Sequence, residues 1–112
     1  MAGLPAAQMA ADMEAAMARY EPADAWEVLR DAKQWPNVPD CVAGTVKNYA
    51  DQLEASRFPL NEAIVDKLWD MHEALRAVHT AAEELYPLMQ KAHAVDIARR
   101  DGSRGDESKW NV

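Results

Sequence analysis

Apolar side chains recur along this chain at spacings of three and four, the period of a helix that buries one face, and proline punctuates the runs. Pro5, Pro22, Pro39 and Pro59 fall near the starts of alternating segments. A helix's first turn tolerates proline there, because that amide has no intrahelical partner. Four helices are predicted. The first, about residues 5 to 20, places Met9, Met13, Ala16, Met17 and Tyr20 on one face. The second, about 22 to 35, carries Trp26, Leu29 and Ala32 and is closed by Trp35 ahead of Pro36. The third, about 39 to 55, carries Val42, Val46, Tyr49 and Leu53. Each is short enough to depend on its neighbours, since an isolated helix of this length is marginal in water.

The fourth segment organises the others. Ile64, Leu68, Met71, Leu75, Val78, Ala82, Leu85, Met89 and Ala92 alternate spacings of four and three over about four heptads, the seam of a coiled coil or long bundle helix. Asn61 is placed to cap it. Pro87 shares the position opposite the seam with Asp66, Glu73 and Thr80, which predicts one helix from about 61 to 99 kinked at the proline, with two helices as the alternative. The fold class expected is therefore all-α: a small bundle of three short helices packed on one long, kinked C-terminal helix. Residues 1–100 are read as one domain and 101–112, "DGSRGDESKWNV", as a polar tail. Trp110 does not suit a solvated tail and is expected to dock on the bundle or on a partner.

Composition narrows the function classes. A chain of 112 residues suits a single core, and only 4 glycines among many alanines favour helix. The formal charge of −7, from 19 acidic and 12 basic residues, repels a phosphate backbone unless a basic patch overrides it. The densest basic cluster, Arg99, Arg100, Arg104 and Lys109, is interleaved with Asp101, Asp106 and Glu107, so no nucleic-acid partner is expected. Cys41 stands alone and cannot form an internal disulfide or hold a structural zinc by itself. The first twenty residues lack the basic start and leucine-rich run of a secretory signal, and no apolar stretch approaches a membrane span. A soluble, cytoplasmic protein without a membrane partner is the expectation.

The candidate chemistry lies in the histidines. His72, His79 and His93 each follow a seam residue by one position, in a column with Val65 and Tyr86. Residues seven apart on a helix are separated by about 10.5 Å along its axis, whereas zinc needs each ligand nitrogen at about 2 Å. There is no His-x-x-x-His, and no Glu-x-x-His either, because Trp69, Arg76 and Gln90 stand where it would need a carboxylate. His93 and Asp96, three apart, are a conceivable ligand pair, read as ordinary helix neighbours. Glu83 and Glu84 begin a pattern similar to the Glu-Glu-x-x-Glu of the all-helical nucleotide pyrophosphohydrolases, but Pro87 occupies the third carboxylate position. The column thus reads as lining of a packed helix, with no catalytic residue, metal or cofactor expected. Trp69, beside the seam and placed on the side away from the histidines, joins Trp35 and Trp110 as a candidate partner contact.

Two resemblances add to this. The segment "HAVDIARRDGSRGDESKWNV" resembles the tails of small uncharacterised helical proteins of actinobacterial chromosomes and mobile elements, through His93, Asp96, Ile97, Arg99, Glu107, Lys109 and Trp110. It implies no particular activity. The overall format is similar in shape to the WXG-motif family of helical hairpins, although Trp35 is followed by Pro36 and Asn37 rather than by x-Gly. The function expected is a non-enzymatic interaction or assembly module that binds a partner or itself through the heptad helix and its tryptophans. Two alternatives stand beside it. One is a ligand- or metal-binding helical protein or enzyme using His72, His79, Tyr86, His93 and Asp96; the other is a structural protein of a phage or mobile element.

Overall fold

The computed structural model describes residues 3 to 102, with side chains through Arg100, and within them every regular element is helical. Six helices follow in order: α1 (Pro5–Arg19), α2 (Ala25–Gln34), α3 (Asn37–Ala55), α4 (Glu62–Glu83), α5 (Leu85–Ala92) and α6 (Ala94–Gly102).

Local chemistry sets their ends. Pro5 opens α1 with no side-chain cap before it. The second helix starts at Ala25 rather than near Pro22, because Asp24 accepts the Glu27 amide at 2.9 Å while the Glu27 carboxylate takes the Ala23 amide at 2.9 Å. This is a reciprocal arrangement close to a capping box, and Asp24-x-x-Glu27 was its sequence signal. Between α2 and α3 only Trp35 and Pro36 intervene, both in right-handed helical conformation, so α3 begins two residues ahead of the expected start and Pro39 lies in its first turn. Asn61 caps α4 as expected, accepting the Ala63 amide at 2.9 Å.

The long fourth helix is broken twice. Pro87 has no amide hydrogen, so the Glu83 carbonyl loses its ladder partner; α4 ends at Glu83 and α5 starts at Leu85, with Pro87 in its first turn. Glu84 keeps right-handed helical angles (φ −79°, ψ −15°), so a single residue separates α4 from α5. A second break at His93 (φ −116°, ψ 28°) separates α6, so three segments replace the single helix expected from 61 to 99. Of the expected tail, Asp101 and Gly102 belong to α6, and residues 103–112, including Trp110, lie outside the described residues.

Packing joins α3 to α4, α2 to α5, and α5 to both α4 and α6. The apolar core among the described residues consists of Trp26, Ala32, Ala43 and Ala50, with Pro39 buried beside them. Arg100 of α6 lies over the Trp26 ring at 4.1 Å, and Lys33 of α2 over Tyr86 of α5 at 4.7 Å. The first helix has no buried residue, so it does not join the packing expected of it. The molecule is accordingly open: its Cα radius of gyration is 19.8 Å, against about 13 Å for a compact domain of this length.

Candidate interaction surface

An antiparallel hairpin of α3 and α4 carries the site. Ala43 and Ala50, seven apart and almost fully buried, form its floor on α3, and their small side chains let the two backbones come close. Opposite them α4 presents Val65, Leu68, His72, Leu75, His79 and Ala82, all partly buried. The packed face of α4 is thus centred between the histidine column and one half of the heptad seam, with the other half turned aside.

One flank of this hairpin is polar and satisfied. Arg76 donates to Asp40 at 3.2 Å, and Trp69 Nε1 donates to Glu54 at 2.8 Å. Lys47, on the same side of α3, pairs with Asp51 at 2.8 Å. Trp69 stands edge-on to His72 with ring centroids 5.5 Å apart, which places it on the histidines' own side of the helix and corrects the expectation that it lies away from them. At 100° per residue, Trp69 lies beyond His72 as seen from the seam.

The opposite flank is apolar and open. Ile64, Met71 and Val78, seven apart on α4, are 49 %, 45 % and 52 % exposed, so half of the seam contacts solvent. On the other helix, Val42 and Tyr49 of α3 repeat the interval, with Trp35 just ahead of α3 one step earlier, and all three are exposed. That the two rows share a side follows from Tyr49 and Ile64, which line one depression with Leu53, Phe58, Leu60 and Leu68. The sequence pattern identified these residues as apolar, but it could not show which half of the seam α3 would leave uncovered.

A third apolar row lies on α1. Met9, Met13, Met17 and Tyr20 are all exposed. The end of this helix is held at the corner between α2 and α3, where Met17 and Tyr20 share a cavity with Asp31, Trp35 and Val38. Tyr20 donates its hydroxyl hydrogen to Asp31 Oδ2 at 2.8 Å, and Glu27 Oε1 is within reach at 3.1 Å. Donation to Asp31 is the largest cause that raises the phenol from 10.0 to about 12; desolvation, the Glu27 hydrogen bond and the two negative charges add to it.

The histidine column does not form one site. His72 and His79 face α3; His72 Nδ1 makes no hydrogen bond, with Glu73 Oε1 at 3.8 Å. His79 Nδ1 donates to the Pro36 carbonyl at 2.8 Å and so pins the start of α3 to α4. Tyr86 lies beneath Lys33, while His93 is 3.7 Å from Asp96 and shares a small apolar cavity with Val28, Leu29, Met89 and Ile97. Among the described residues no group of three or more histidine, cysteine, aspartate or glutamate side chains could hold a metal ion. No helix among them is long and apolar enough to cross a membrane.

The fold and surface together define an all-helical protein whose central hairpin is closed on one flank and open on the other. No family model, curated protein or solved structure matches the chain.

Proposed function

We propose that the chain is a non-enzymatic assembly module that works by having its open flank covered by a helix of another polypeptide. The observation that carries this reading is the row Ile64, Met71 and Val78, spaced as a helix seam and left uncovered beside Val42 and Tyr49. Monomeric proteins rarely expose contiguous apolar patches of this kind without a use for them.

In the assembled state an added helix on the open flank completes the bundle of short helices around the long one that the heptad pattern predicts. Trp35, exposed at the corner beside Met17, is the tryptophan best placed to touch that helix. The net charge of −7 disfavours nucleic acid as the partner, and an exposed lone Cys41 suits a reducing, cytoplasmic setting.

Sedimentation equilibrium over a range of concentrations tests the reading. The wild-type chain is expected to run above 12.5 kDa, alone or with a copurifying protein. Met71→Glu is expected to abolish that association while leaving far-UV helicity unchanged, because Met71 already faces solvent in the single chain. A chain that is monomeric at every concentration and copurifies with nothing would sink the proposal.

A further inference from the structure

We infer that the occupant of the open flank is α1 of a second copy, and that the exchange is reciprocal about a two-fold axis. The inference rests on the assembly reading above and names its partner. Among the described residues, each chain carries both an uncovered apolar flank on the hairpin and an uncovered helix, α1. A foreign helix in the groove leaves the methionine row of α1 exposed; a two-fold exchange covers both surfaces with one contact repeated twice.

Dimensions and chemistry agree with it. The uncovered row from Ile64 to Val78 spans about 21 Å, and the fifteen residues of α1 span about 22 Å. Methionine side chains are unbranched and adaptable, suited to packing on the differently shaped side chains of Val42, Tyr49, Ile64 and Met71. A fifteen-residue helix with no buried residue and no side-chain cap is marginal in water by itself, so α1 gains most from a groove. Its own chain does not offer one in this arrangement: Tyr20 ties its C-terminal end to Asp31, and Met9, Met13 and Met17 all remain exposed. Residues 20 to 24, outside any helix, link α1 to α2.

The charge balance separates a second copy from a basic partner. Two chains of −7 repel one another, and salt screens that repulsion, so self-association through apolar faces strengthens as ionic strength rises. Docking of a basic helix weakens under the same change.

Cross-linking tests the exchange. Met13 is the middle of the Met9–Met17 row and Met71 the middle of the Ile64–Val78 row, so they lie opposite each other whichever way α1 runs. Full-length chains carrying Met13→Cys or Met71→Cys, each with Cys41→Ser, are mixed and mildly oxidised. The disulfide joining the two different chains is expected well above its random share. In parallel, Met13→Glu, which keeps helix propensity, is expected to weaken dimerisation by about a hundredfold or more, with far-UV helicity retained. Cross-links at no more than the random share would overturn the exchange. So would a disulfide closing within a single chain that carries both cysteines, which would place α1 on its own groove. A dimer that survives Met13→Glu but not Met71→Glu also overturns it, while leaving the assembly reading in place. Binding that weakens with added salt points to a basic partner and counts against a second copy.

Discussion

On one flank of the α3–α4 hairpin Arg76 meets Asp40 and Trp69 meets Glu54; on the other, Val42, Tyr49, Ile64, Met71 and Val78 meet solvent. Both flanks are drawn from the same two helices and lie to either side of the alanine floor. The difference lies in what each leaves unfinished. Polar groups at an exposed edge are satisfied by each other or by water, so the first flank has no need of a further partner. Apolar groups in the second gain only when water is removed from them, at about 25 cal/mol per Å². On the assembly proposal, the open edge is the one that takes the partner and the closed edge is not.

Three changes sharpen that contrast. The largest effect is expected from Ala50→Leu, since Ala50 is 0 % exposed between the two helices and extra methyl groups must force them apart. Overpacking of this kind costs about 1–3 kcal/mol, and denaturant titration should show it along with disruption of both flanks. A variant as stable as the wild type would mean that the floor is looser than its burial implies.

Arg76→Ala comes next and acts on the closed flank alone. The Arg76–Asp40 pair is exposed on both sides, so its loss should cost below about 1 kcal/mol, less in high salt, and leave the sedimentation mass unchanged. Equal loss of association from Arg76→Ala and Met71→Glu would erase the distinction between the flanks.

The smallest effect belongs to Tyr20, which ties α1 to the corner beside the open flank. Its folded pKa is raised, so the tie contributes below pH 10 and is lost as pH climbs through about 12. Phenolate absorbance should show one of the 3 tyrosines titrating late, and Tyr20→Phe should remove that late step. A late step that persists in Tyr20→Phe would assign it to Tyr49 or Tyr86.

Much of the architecture was legible because it depends on local chemistry. The helical class and the cap at Asn61 follow from neighbours along the chain, whereas Pro87, expected to kink one long helix, ends α4 at Glu83. The histidines at 72 and 79 do line the α3-facing side, and His79 is engaged by a backbone carbonyl 43 residues away. Less legible was the rotation of α4 about its own axis. A heptad row shows which residues are apolar, but the choice of buried half was made by α3, whose alanines at 43 and 50 leave room for imidazoles and for Leu68 and Leu75. The isolation of α1 was equally hidden. Its methionine row reads the same whether it meets its own bundle or another chain's.

Pro87 has a consequence of its own. One absent amide proton releases the Glu83 carbonyl and divides at Glu84 what would otherwise be one helix. Before the break α4 serves the hairpin; after it, Tyr86 reaches Lys33 and Arg100 reaches Trp26, roofing the single large side chain that is fully enclosed among the described residues. Restoring that proton with alanine is expected to rejoin α4 and α5 and shift the roof over the indole, which Trp26 emission would report in a chain whose other three tryptophans are replaced by phenylalanine.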